Sequence, residues 1–264
     1  MTKAYFYGCL AAGWLLRSCR YSTARRVCRG DEPHVLKQRS FYAPLLVWLG
    51  GPLVRALDSG VMVLRRRAWE ERERRLYRSL YGLSILIDAE GALVLPYLRG
   101  RTLATLLDDA RLDDPARKKA IESAVRALAA FHRRDLTHGD AMAENVLVDE
   151  DEGVARWFDF ETIHEPSRPV VWRQADDLRA LLVTCLVRTE PTKIAETFDL
   201  ILDVYADERV TRVLTTHFTS ACRRPLAFHL AQAGLSFHQF HEIARLLRER
   251  HASLTGMSPN AHSA

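Results

Sequence analysis

The chain has no apolar run long enough to cross a bilayer, no C-x-x-C pair, no internal repeat and no low-complexity tract. Each absence excludes something. A spanning helix needs about 20 consecutive apolar residues. The stretch from Tyr5 to Leu16 is shorter, carries Gly8 and Gly13, and lacks a small-residue cleavage site, so neither a spanning helix nor a signal peptide is expected there. Five cysteines (Cys9, Cys19, Cys28, Cys185 and Cys222) are odd in number and unpaired in spacing, which favours a reduced, cytoplasmic chain over a disulfide framework and does not suggest zinc. No recognised nucleic-acid signature accompanies the basic charge.

What is present is a chain of 264 residues, 48% hydrophobic and 27% charged, enough to bury a good core as one domain or two closely packed lobes. Its net charge of +5 is unevenly placed. Residues 1–80 carry sixteen Lys and Arg against six Asp and Glu, and the remainder carries twenty-two against twenty-seven. That asymmetry points to an anionic surface or substrate near the first part of the chain.

The most informative stretch runs from Leu136 to Thr162. Asp140 is followed five positions later by Asn145, and Asp159 comes after a run that reads as a hairpin: Val146-Leu147-Val148, a turn over Asp149 to Gly153, and a return strand. Asp140 and Asn145 would share one loop and Asp159 would end the returning strand, so the three converge. Phosphoryl transfer needs these groups: a carboxylate for the hydroxyl proton, and amide and carboxylate oxygens to hold magnesium against phosphate.

On these residues the sequence resembles the protein-kinase-like superfamily, whose catalytic loop is H-R-D-x-x-x-x-N and whose metal-binding turn is D-F-G. This chain has His138-Gly139-Asp140 and Asp159-Phe160-Glu161 instead. Those variants look like the branch that phosphorylates small molecules and sugars: aminoglycoside and choline kinases, and the Kdo and lipopolysaccharide-core kinases. The resemblance implies Asp140 as catalytic base, His138 as an orienting residue of its loop, Asn145 and Asp159 as metal ligands, and ATP with Mg2+ as cofactors.

Trp14 to Ser18, Thr23 to Cys28 and His34 to Gln38 read as three strands. In the superfamily the first two bracket a glycine-rich loop over the phosphates. Here Ser18 to Thr23 contains no glycine, so Ser22, Thr23 or Arg20 would contribute in its place. Val35-Leu36-Lys37 matches the strand whose lysine contacts the phosphates; by itself Lys37 would be an ordinary edge-strand lysine. Its partner is expected on the following helix, where Glu73 lies beside the apolar stripe of Leu76, Tyr77 and Leu80. Glu70 and Glu71 are weaker candidates, and all three glutamates also suit a solvated, arginine-rich face. Phe41 to Val54 is aromatic and apolar, followed by Arg55 and Arg65-Arg66-Arg67. It reads either as an interfacial membrane contact or as a helical hairpin packed on the small lobe. Ser84 to Ile87 and Ala92 to Tyr97 form a hairpin whose end falls where the family hinge binds adenine; Pro96 lacks a donor, so Leu98 is the candidate contact.

Asp114 reads as the cap of a long helix leading to the catalytic loop. Trp172 to Leu182 is a second helix; the resemblance implies that an aspartate opening it anchors that loop, with Asp177 the candidate and Asp176 an alternative cap. Eighteen positions separate Asp159 from Asp177 with no A-P-E motif, little room for a peptide-binding platform. Amphipathic helices follow over Thr192 to Tyr205, Arg209 to Phe218, Pro225 to Ala233 and Ser236 to Arg250. His229, His238 and His241 lie on apolar helices and read as core or rim residues.

The expectation is an α+β, two-lobed protein-kinase-like fold. Residues 1–98 would form an N-lobe of antiparallel sheet plus helix, with an insert at about 40–60, and 99–264 a mainly helical C-lobe. The expected activity is Mg-dependent transfer of the ATP γ-phosphoryl to a sugar or lipopolysaccharide-type glycolipid. The expected setting is the cytoplasm, peripheral at an anionic inner membrane surface, without nucleic acid. A serine/threonine protein kinase and a pseudokinase binding module are the rivals.

Overall fold

The computed structural model describes residues 22–40, 60–219 and 236–255. The expected strand at Trp14 to Ser18, the apolar run from Phe41 to Val54 and the helix with His229 lie outside the described residues, as do Cys9, Cys19, Cys222 and Arg20.

β1 (Ser22–Arg29) and β2 (Glu32–Arg39) form an antiparallel hairpin turned at Gly30. β3 (Val61–Val63) precedes α1 (Arg66–Tyr81), and β4 (Leu86–Ile87) and β5 (Leu93–Pro96) follow. The sheet order β1-β2-β5-β4 makes β2 an interior strand, with Lys37 opposite Ala24 on one side and Leu93 on the other. Lys37 is therefore not an edge-strand lysine. Along α1, Trp69, Glu73, Leu76 and Tyr77 recur at helical spacing and are buried. The helix stops at Gly82, whose φ of 68° is one that residues with a Cβ avoid.

The chain then passes β6 (Arg101–Thr102), α2 (Leu103–Leu107) and α3 (Asp114–His132). The cap of α3 is Asp113, not Asp114: the Asp113 carboxylate accepts from the Ala116 N–H at 2.9 Å. Asp114 then takes the first helical position and Pro115 the second, where its missing N–H leaves no intrahelical bond unmade. After a 3-10 turn (Ala143–Asn145) come β7 (Val146–Asp149) and β8 (Val154–Trp157), the expected hairpin. β9 (Thr162–His164) was not foreseen; it pairs with β3 and so ties the chain just before α1 to the segment after Asp159. α4 (Val170–Leu186) begins earlier than its leucine spacing suggested, since no breaker follows Pro169. Neither Asp176 nor Asp177 opens it; both are buried within it. α5 (Ile194–Tyr205), α6 (Glu208–Thr219) and α7 (Phe237–Thr255) pack outside. His238 and His241 are exposed on α7.

The architecture is thus an antiparallel sheet with one helix on the N-terminal side and a predominantly helical remainder, the α+β kinase-like arrangement. Leu103, Leu106, Leu128, Phe160, Leu178 and Leu181 are wholly buried at its centre, and this centre underlies the loop carrying Asp140. Gly60, at φ 71°, brings β3 against α4: an added Cβ would stand 2.2 Å from the Trp172 ring. Gly60→Ala should therefore lower unfolding free energy by about 1–3 kcal/mol in a denaturant titration.

Candidate active site

Lys37 is the meeting point of three segments. Its Nζ donates to Glu73 Oε1 at 2.7 Å and to Asp159 Oδ1 at 2.6 Å, and Glu161 Oε1 stands 3.2 Å away. Burial by itself would lower its pKa; the charges of Asp159, Glu73 and Glu161 outweigh burial and hold the ammonium well above its ordinary value. Glu73 Oε1 also accepts from Trp69 Nε1 at 3.2 Å and from the Phe160 N–H at 3.1 Å. Asp159 has a φ of 67°, a conformation aspartate tolerates better than most residues. Phe160 is wholly buried, stacked on Phe131 at 6.0 Å and beside His138 at 5.0 Å.

The loop bearing Asp140 is fixed from several directions. Asp177 accepts from the His138 N–H at 2.6 Å and the Gly139 N–H at 2.9 Å. It also meets His132 Nε2 at 3.1 Å. His138 is fully buried. Its Nε2 lies 2.9 Å from the Phe158 carbonyl, which can only accept, so Nε2 carries the proton and Nδ1 accepts from the Asp140 N–H at 3.2 Å. That neutral form agrees with burial pushing its pKa down to about 4. The Ala143 N–H donates to the Thr184 hydroxyl at 3.0 Å. Gly139, at φ 87°, passes so close to β9 that a Cβ would lie 3.0 Å from the Ile163 backbone, which explains glycine where the protein-kinase pattern has arginine.

Asn145 Nδ2 donates to the Asp140 carbonyl at 2.8 Å and to Asp140 Oδ2 at 2.9 Å, so its amide oxygen is left for another partner. Burial first, and the charge of Asp159 second, push the Asp140 carboxyl up to about 7. Three carboxylates, Glu73, Asp159 and Glu161, thus surround one ammonium, and Asp140 lies close enough for the charge of Asp159 to act on it, a surplus of negative charge suited to a divalent cation. Among the described residues no three His, Cys, Asp or Glu side chains form a metal cage. An amide and one or two carboxylates, completed by water and phosphate, are however the donors magnesium takes. The donor set fits.

Of the other expected site residues, Leu98 is buried just after β5, and its main-chain N–H and C=O make no hydrogen bond within the described residues. Ser22 opens β1 opposite Arg39 and makes no hydrogen bond to the Lys37 cluster. Two residues were missed by sequence reasoning. Glu161 stood in the D-F-E motif, but nothing said that it would approach Lys37. Arg72 looked like one more surface arginine; its Nη2 donates to the Thr137 carbonyl at 2.7 Å, tying α1 to the loop of Asp140. Burial lowers its pKa to about 10, still leaving it charged at neutral pH.

A sheet lysine joined to a helix glutamate and to an aspartate beyond a hairpin, beside an aspartate–asparagine loop, resembles the site of protein-kinase-like chains. Residues 94–200 match the lipopolysaccharide kinase (Kdo/WaaP) family, a kinase family within that superfamily. The matched stretch includes Leu98, His138, Asp140, Asn145, Asp159 and Asp177, while Lys37 and Glu73 precede it. No curated protein matches the chain as a relative. No helix among the described residues is long and apolar enough to cross a membrane. Arg72→Met should lower stability by about 1–3 kcal/mol, because it leaves the Thr137 carbonyl without its donor; a thermal or denaturant melt measures it.

Proposed function

We propose that the protein transfers the ATP γ-phosphoryl to a hydroxyl of a sugar or lipopolysaccharide-type glycolipid presented at the cytoplasmic face of a membrane. The match to a lipopolysaccharide kinase family supports a phosphotransferase acting on lipopolysaccharide-core sugars. The observation that carries the finer reading is the convergence of Lys37, Glu73 and Asp159 beside the paired Asp140 and Asn145.

In this reading Asp140 accepts the proton of the acceptor hydroxyl, and its raised pKa makes it a stronger base than an exposed aspartate. Lys37, held by Glu73, binds the phosphates, with Ser22 contributing from β1. The free main-chain groups of Leu98 meet the adenine where the N-lobe of residues 1–98 gives way to the C-lobe. His138 touches no reactant; it positions Asp140 through its backbone N–H. Asn145 and Asp159 are the residues that would hold magnesium, whose chemistry when bound is to screen charge on the transferring phosphoryl group.

A small acceptor is favoured over a protein by the chain after Asp159. It enters β9 within three residues, is paired to β3, and reaches α4 at Val170. That leaves no extended segment against which a peptide could lie.

Incubation with γ-labelled ATP, magnesium and a lipopolysaccharide extract should place label in the glycolipid fraction. Label appearing on protein would refute the acceptor assignment. Asp140→Asn should reduce transfer about 10²- to 10⁴-fold while keeping the thermal stabilisation given by ATP and magnesium, which at 100 times Kd amounts to about 2.7 kcal/mol. Undiminished turnover in that variant removes Asp140 from the chemistry.

A further inference from the structure

Several exposed arginines are held in ion pairs. Arg66 pairs with Glu70, Arg111 with Asp109, Arg126 with Glu122, Arg156 with Glu152, Arg209 with Asp207, and Arg245 with Glu242 and Glu249. Among the described residues, Arg25, Arg29, Arg133 and Arg212 are exposed without an ion pair but scattered over different elements, whereas the solvent face of α1 carries several in a row. Arg67, Arg74, Arg75 and Arg78 are exposed there, and none has an acidic partner within ion-pair distance. Glu71 is the sole acid among them. Arg134, bonded to the Ser79 carbonyl at 2.8 Å, adds a further cation at the end of the helix.

These charges are spread along a line. From Arg67 to Arg78 the helix rises about 17 Å at 1.5 Å per residue. None of the five lines the cavity between α3 and α5 or the one behind the β5–α2 connection, and their spread along the helix suits an extended surface. A row of guanidinium groups on an open face suits a flat array of phosphates, each of which it can bond bidentately. The opposite side of the same helix presents Glu73 to Lys37 and Arg72 to Thr137, so contact through the arginines leaves the site undisturbed.

We propose that this face of α1 docks on a bilayer containing anionic phospholipid. The choice of a bilayer over other polyanions rests on the glycolipid acceptor proposed above. Each arginine near such a surface strengthens binding roughly fivefold, and salt weakens it.

The test is co-sedimentation of the full chain with vesicles, without ATP. The protein should pellet with mixed phosphatidylcholine–phosphatidylglycerol vesicles, stay in solution with pure phosphatidylcholine, and be released by salt. The variant R74E/R75E/R78E should lose binding by more than about tenfold, and the milder R74Q/R75Q/R78Q should lose part of it. The charge-matched control R111E/R126E/R245E should retain it. The proposal is overturned if the wild type ignores the anionic vesicles, binds pure phosphatidylcholine equally, or if the control loses as much as the α1 variant. Thermal stabilisation by ATP and magnesium, read on the same samples, should be equal in all four proteins. Its absence from the wild type would defeat the kinase reading while leaving the vesicle result standing.

Discussion

One buried ammonium holds together the parts on which everything else rests. Lys37 comes from an interior strand, Glu73 from the helix beside the sheet, and Asp159 from the turn beyond the second hairpin. An unpaired charge at this depth costs several kcal/mol, so each partner is needed by the others. Glu73 extends the connection by accepting from Trp69 and from the backbone of Phe160. The helix α1, the sheet and the Asp-Phe-Glu turn are thereby set relative to one another before any ligand arrives.

The loop of Asp140 is held by a separate arrangement. Asp177 takes two consecutive backbone N–H groups, His138 spends both ring nitrogens, and Asn145 bonds back to Asp140. Arg72 joins this arrangement to α1. Gly139 shows the cost of such closeness, since β9 runs where a side chain would be. The departures from the protein-kinase pattern, glycine in His-Gly-Asp and glutamate in Asp-Phe-Glu, thus have local causes or consequences. The first makes room for β9, and the second brings a third carboxylate to Lys37.

The proposed chemistry follows from how charge is distributed. Negative groups crowd the interior of the site around one lysine, an arrangement that awaits a cation and phosphate. Unpaired positive groups lie outside, on the far face of the same helix. In the proposed reading one helix therefore serves two tasks through opposite faces: its buried side orders the phosphate-binding lysine and its exposed side meets an anionic surface.

Much of this was legible in the sequence. Asp140, Asn145 and Asp159 could be grouped because the hairpin between the last two is written in β-branched residues and a polar turn, both local signals. Lys37 was legible through its resemblance to the kinase strand pattern, and Glu73 through its place beside a helical stripe. The α1 and α3 helices could be placed for the same reason, although Asp113 took the capping role expected of Asp114 by accepting from the Ala116 N–H. What the sequence by itself determined was most of the helices and hairpins and the candidate site residues each carries, since periodicity and turn chemistry act over a few neighbouring residues. Only the tertiary structure decided that β9 pairs with β3, that Glu161 approaches Lys37, and that Arg72 turns inward to Thr137 while Arg74 and Arg75 remain in solvent. Those outcomes depend on which segments, tens of residues apart, come to lie against each other, and a hydrogen bond across that separation leaves no mark in the local order of side chains.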